Sequence, residues 1–151
     1  MNNQKNFNRI ISNNVYFKKK KYALIIGETP SKGARSPKLW NKVYKKYKEH
    51  TKMFPADVSA KNLKKLMYYL ESDNSFVGSA VTAPYKEKIL KYINSISPEA
   101  KVIGSINTIK KIDNKLVGHN TDYHGAIKSL ITFQKKKNIL ILGCGGAGKA
   151  V

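Results

Sequence analysis

The sequence predicts an α/β protein, a mostly parallel sheet flanked by helices, on two observations. Three short apolar runs, 22-YALIIG-27, 52-KMFPADVS-59 and 76-FVGSAVTA-83, are bounded by turn residues, as buried parallel strands are. Between them lie lysine-rich stretches whose apolar side chains recur at helical spacing. A strand-helix alternation of this kind builds a largely parallel sheet.

Taken in order, residues 1–21 are rich in Asn and Lys, contain no acid and show no sustained period. They are expected to form a basic, flexible leader. They lack the apolar core of a secretory signal. The first strand, at 22–27, stops at a glycine. Ser36 and Pro37 then offer an N-cap and a first-turn proline, and Leu39, Trp40, Val43, Tyr44 and Tyr47 predict a helix with one face to bury. After the second strand, Ser59 is placed to cap a helix whose stripe is Leu63, Leu66, Met67 and Leu70. The third strand runs into Pro84, and a third helix is expected through Ile89, Leu90 and Ile93.

Beyond residue 100 the pattern changes. The stretches 103-IGSINTI-109 and 115-KLVGHNT-121 flank 113-DN-114 and predict a hairpin beside the parallel sheet. Thr121 or Asp122 then starts a helix through Ala126, Ile127, Leu130 and Ile131, ended by the lysines at 135–137. A last strand is expected at 138-NILILG-143. The domain division that follows is 1–21 leader, 22–134 main domain and 135–151 the start of a second domain.

Composition narrows the function classes. No segment reaches the roughly 18 apolar residues needed to span a bilayer, so no membrane partner is expected. The one cysteine, Cys144, has no intramolecular disulfide partner and fits a reducing, cytoplasmic setting. The 29 basic and 9 acidic side chains give a net charge of +20, which by itself points to anionic partners. Yet only Arg9 and Arg35 are arginines, the residue favoured for bidentate phosphate and base contacts, and the lysines are scattered over the polar positions of most segments. A solvated basic surface, with no specific nucleic acid as partner, is the expectation. His50, His119 and His124 show no ligand spacing, and no metal site is predicted.

The glycines near the end of the chain support three readings. Gly143, Gly145 and Gly148 satisfy G-x-G-x-x-G after an apolar run, the pattern of a dinucleotide loop: one glycine for the turn, one for close approach to a pyrophosphate, one for helix packing. Gly143, Gly148 and Lys149 also match G-x-x-x-x-G-K, but Ala150 stands where a phosphate loop binding Mg²⁺ needs Ser or Thr. A ligand-free strand-to-helix turn is the third reading.

Four upstream segments, 27-GETPSKGARSP-37, 81-VTAPYK-86, 104-GSINT-108 and 118-GHNTDYHG-125, followed in order by the glycine loop, resemble shikimate dehydrogenase. The resemblance covers about residues 22–151. It implies NADPH-dependent reduction of 3-dehydroshikimate to shikimate, in chorismate and aromatic amino-acid biosynthesis. It also implies a substrate domain followed by a Rossmann domain, of which this chain holds only the first strand and turn. A truncated chain of that kind is expected to be inactive alone, as a monomer or homodimer.

By matched position, Lys86 is implied as the catalytic lysine and Asp122 as its carboxylate partner. Thr82, Asn107 and Asp122 are implied contacts for substrate hydroxyls, and Ser36 for the carboxylate. Gly143, Gly145, Gly146, Ala147 and Gly148 are implied as the pyrophosphate loop for NADP, with NAD an alternative. Such a reaction needs a proton at the developing alkoxide, which a lysine at a helix start, its cationic form disfavoured by the dipole, is suited to deliver. The chain departs from the family at Ala34-Arg35-Ser36-Pro37, where a Ser-x-Ser-Pro pair is usual. Ser31 or Arg35 is expected to compensate, and the change keeps quinate in view as substrate; a binding-only relic is a separate alternative.

Overall fold

The computed structural model describes residues 2–17, 21–131 and 140–151. Its elements are α1 (Asn2–Asn8), β1 (Lys21–Gly27), α2 (Ser36–Lys46), β2 (Thr51–Asp57), α3 (Leu63–Ser72), β3 (Phe76–Val81) and α4 (Tyr85–Lys88). They continue as β4 (Ser95–Ile96), α5 (Pro98–Ile103), β5 (Thr108–Ile112), β6 (Lys115–His119) and α6 (Asp122–Ile131). Short 3₁₀ turns lie at Pro30–Lys32, Ala60–Asn62, Ile89–Tyr92 and Gly148–Ala150. Among the described residues the strands form one six-stranded sheet in the order β2-β1-β3-β5-β6-β4. β1 runs parallel to β2 and β3, β4 runs parallel to β6, and β5 is antiparallel to both β3 and β6. The predicted mixed, mostly parallel α/β architecture is therefore present.

The central strand β1 explains the core. Tyr22 through Gly27 are all buried, and alternate side chains serve opposite faces. Tyr22, Leu24 and Ile26 join the Leu63, Leu66, Met67 and Leu70 stripe of α3 in the main cluster. Each such side chain contributes about 1.5–3 kcal/mol on burial. The predicted α3 stripe and the first three strands are as expected. Ser59 does precede the turn into α3, but its hydroxyl makes no cap bond. A 3₁₀ turn intervenes, so the cap position and the helix start are separated.

Four other expectations change. Residues 2–17 are not a loose leader: Phe7, Ile10, Ile11 and Val15 are buried in the main cluster. Asparagines fix the segment, Asn13 accepting from the Asp57 amide at 2.7 Å and Asn62 donating to the Ile10 carbonyl at 2.9 Å. The apolar positions were too irregularly spaced to reveal this. On α2, Ser36 and Pro37 lie inside the first turn with no side-chain cap bond. Its apolar face is also largely open, with Trp40 47 % and Leu39 59 % exposed. Asn41 ties the helix to the backbone of Met53 in β2, so α2 sits over the sheet edge. Trp40 and Tyr44 line a cavity of about 340 Å³ above Ala23, Gly78 and Ala80.

The third helix is one turn, α4, followed by a 3₁₀ turn that ends before Ile93. Two elements the periodicity did not reveal follow: β4, and α5, which Ser97 caps by accepting from the Ala100 amide. The hairpin is present, with Asp113 and Asn114 at positive φ as its turn demands. It is part of the sheet, and its first strand starts at Thr108, after Gly104, at φ +71°, has ended α5. Finally, residues 140–142 form no strand and are exposed. Their backbone groups find no strand of the sheet beside them among the described residues. The lysine run at 135–137 and residues 138–139 of the expected strand lie outside the described residues.

Candidate active site

The site forms where the C-terminal end of β3 meets the loops after α5 and β6. At the end of β1, Gly27 leaves room for Thr82: a Cβ there would lie 2.4 Å from the Thr82 methyl. The chain then turns through a cis Ala83–Pro84 peptide into α4. Tyr85 is fully buried and donates to the Val58 carbonyl at 2.6 Å. Burial, with the charge of Glu28 as a smaller cause, raises its pKa above the usual phenol value. With Tyr85 anchored inward, the next residue, Lys86, is directed toward α6.

Lys86 Nζ lies 2.6 Å from Asp122 Oδ2, and the Asn107 side-chain amide donates to Asp122 Oδ1 at 2.7 Å. Both carboxylate oxygens are thus engaged. Asn107 is itself fixed: its Oδ1 accepts from the Thr121 amide at 3.0 Å and its backbone carbonyl accepts from the Val81 amide at 2.7 Å. Asp122 opens α6, where a carboxylate complements the helix N-terminus. An oriented lysine-carboxylate pair, partly open to solvent on both sides, can exchange a proton with a bound ligand. α4 is a single turn, so the dipole expected to act on Lys86 is that of one turn, and Asp122 is its direct partner.

The glycine loop closes one wall of the site. Gly143 has φ +99°, and a Cβ on Gly148 would fall 2.0 Å from the Gly143 carbonyl oxygen, so the turn closes tightly only with glycine at both positions. Gly146 packs against Lys86, where a Cβ would lie 2.8 Å from the lysine Cβ. Lys149 pairs with Glu87 at 2.7 Å, an ion-pair role in place of a phosphate-loop one. A cavity of about 500 Å³ is lined by Thr82, Lys86, Glu87 and the loop glycines, among other residues. This tight turn, open beside Gly145 where a Cβ would meet nothing within 4 Å, fits the backbone approach a pyrophosphate needs.

A second cavity, of about 520 Å³, shares Thr82, Ala83 and Pro84 with the first and is walled by the 28–34 loop. Ser31 donates its amide to Asp57 Oδ1 at 2.8 Å and its hydroxyl to Asp57 Oδ2. That hydroxyl is therefore committed to Asp57, against the expectation that it compensates for the absent serine. Ser36, Asn107 and Asp122 line neither cavity; Asn107 and Asp122 join the site through Lys86, which lines the first cavity with Thr82 and the glycines. Sequence reasoning missed Asp57, Ser105 and Asn120, all buried polar residues. The available signal was Asn120 two residues before a helix-opening Asp122, the spacing of an Asx turn. Among the described residues no group of three or more His, Cys, Asp or Glu could hold a metal ion, and no helix is long and apolar enough to cross a membrane.

The sequence profile described as the shikimate dehydrogenase substrate binding domain matches residues 25–109, more than half of the chain. The chain belongs to that family. The shikimate dehydrogenase (NADP(+)) of Pyrococcus furiosus is 40 % identical over 129 residues, covering 84 % of this chain and 46 % of the relative. A shikimate dehydrogenase crystallised in complex with NADP+ superposes with a TM-score of 0.79 at 36 % identity, covering 86 % of this chain and 46 % of the other. The Thermus thermophilus enzyme, crystallised with NADP(H) and shikimate, gives 0.77 at 28 % identity, covering 87 % of this chain and 50 % of the other. The chain spans about half the length of the curated relatives it matches.

Proposed function

We propose that the chain carries the substrate-binding part of a shikimate dehydrogenase, an NADP-dependent oxidoreductase that reduces 3-dehydroshikimate to shikimate. The observation that carries this reading is the Lys86–Asp122 pair, oriented by Asn107, with Lys86 lining a cavity walled by the glycine loop. Residues 22–134 form the proposed substrate domain, joined by the packed segment 2–17, and residues 135–151 begin the cofactor domain. A reducing, cytoplasmic setting suits the exposed free thiol of Cys144.

In the proposed reaction Lys86 Nζ donates a proton to the substrate oxygen as the carbonyl becomes an alcohol, and Asp122 stabilises and orients the ammonium. Asn107 and Thr82 hold substrate hydroxyls beside that proton. Ser36 is assigned the substrate carboxylate on the family resemblance alone. Gly143, Gly145, Gly146, Ala147 and Gly148 would hold the NADP pyrophosphate, and the bound cofactor supplies the hydride. In the oxidative direction the lysine takes the same proton back.

The test is a shikimate titration of the purified chain followed by NMR. Shifts are expected at Thr82, Lys86, Asn107 and Asp122, and a spectrum unchanged at millimolar shikimate overturns the reading. Because the relatives are about twice as long, the chain alone is expected to bind without turnover. Shikimate-dependent reduction of NADP+ by it would overturn that part.

A further inference from the structure

Three consecutive residues grip the three parts of the site. Ser105 donates its hydroxyl to the Gly146 carbonyl at 2.7 Å, the Ile106 amide donates to the Lys86 carbonyl at 2.8 Å, and Asn107 holds Asp122. Asn120 connects Ser105 to Asp122. Its side-chain amide donates to both the Ser105 carbonyl and hydroxyl at 3.0 Å, while its Oδ1 accepts from the Asp122 backbone amide at 3.0 Å. Ser105 is 0 % and Asn120 1 % exposed, so neither can exchange these partners for water without a cost.

We infer that Ser105 and Asn120 are positioning residues that tie the glycine loop to the Lys86–Asp122 pair. If the loop moves, the buried Ser105 hydroxyl loses its acceptor, Asn120 loses a fixed partner, and the Asp122 amide loses the orientation of the oxygen it bonds. The docked position is specific to glycine at 146. A Cβ there would lie 2.8 Å from the Lys86 Cβ and 3.3 Å from the Ser105 Cβ. What occupies the loop is thereby felt at the proton-exchanging pair. The inference rests on the reading of Lys86 and Asp122 as that pair.

The test follows the pH titration of the Lys86 side chain and the Asp122 amide resonance by NMR in the 151-residue chain. The charged groups placed beside Lys86 are Asp122 from α6, and Glu87 with its partner Lys149 from the glycine segment. Ser105→Ala is expected to move the Asp122 amide resonance and the Lys86 titration together. Ser105→Thr, which keeps the hydroxyl, restores both. Gly146→Ala undocks the loop and gives the same two changes, and the double variant adds nothing further. Lys149→Met separates a through-space charge effect from the link, since it leaves the Asp122 amide in place.

An unchanged Asp122 amide and Lys86 titration in Ser105→Ala, or additive effects in the double variant, overturn the inference. Asp122→Asn tests the underlying pair separately: if it leaves the Lys86 titration unchanged, the acid/base reading fails whatever Ser105 does.

Discussion

Lys86 and Asp122 are 36 residues apart in the chain and meet at 2.6 Å, each presented by the first turn of its own helix. The second oxygen of Asp122 is held by Asn107, so the carboxylate cannot rotate away from the lysine without breaking a charge-assisted bond. Asp122→Asn removes the charge while keeping the shape. On the proposed reading Asp122 also accepts from a substrate hydroxyl, and losing a hydrogen bond to a charged group costs about 1.5–3 kcal/mol, so shikimate affinity should fall by about tenfold to a hundredfold. Calorimetric titration of the purified variant checks this, and an unchanged affinity would remove Asp122 from the site.

That pair was expected from the family resemblance of two short motifs, 81-VTAPYK-86 and 118-GHNTDYHG-125, and the fold brings the two side chains together. The strands at 22, 52 and 76, the α3 stripe and the Asp113-Asn114 turn were legible from local periodicity and turn chemistry alone. What stayed hidden depends on contacts between distant segments. Asp57 is an ordinary strand-end acid until Ser31 is folded onto it, and Asn13 becomes a structural residue only beside β2. The open face of α2 shows the opposite limit, since a helical apolar stripe does not say how much of it a neighbour will cover.

Ser31→Ala tests the Asp57 contact. The Asp57 carboxylate is 6 % exposed and takes both the amide and hydroxyl of Ser31. Removing the hydroxyl leaves a buried charged acceptor short of one donor, at a cost of about 1–3 kcal/mol. The loss should appear in urea denaturation, with faster amide exchange across residues 29–34. Equal stability would mean that solvent replaces the hydroxyl and that Asp57 does not hold the loop.

The buried N-terminal segment gives a stability prediction. Phe7 is 0 % exposed and packs on Phe17, with ring centroids 5.0 Å apart, and on Tyr69 at 5.5 Å. Phe7→Ala should cost about 3–5 kcal/mol, the range for a truncated core aromatic. Arg9→Ala, on the exposed side of the same segment, should cost less than about 0.5 kcal/mol. A loosely attached leader would give two small, equal effects in the same denaturation experiment.

The same aromatic cluster sets a pH limit on stability. Tyr22 is pushed far above the usual phenol value, first by burial and then by its hydrogen bond to Asp73, 2.7 Å away. Burial, with Asp73 as the next cause, pushes Tyr69 up to about 12. A phenol whose folded pKa lies above its unfolded one binds its proton more tightly when folded. Its stabilisation is complete below about pH 10 and is lost as pH rises through the folded value. Urea midpoints should therefore fall between about pH 10 and pH 12, and phenolate absorbance should show Tyr22 ionising only with unfolding. Asp73→Asn removes the charge that opposes the phenolates, so Tyr69 should titrate lower and part of the alkaline loss should disappear. If the midpoints are flat across that range, the two phenols are not held as the structure places them.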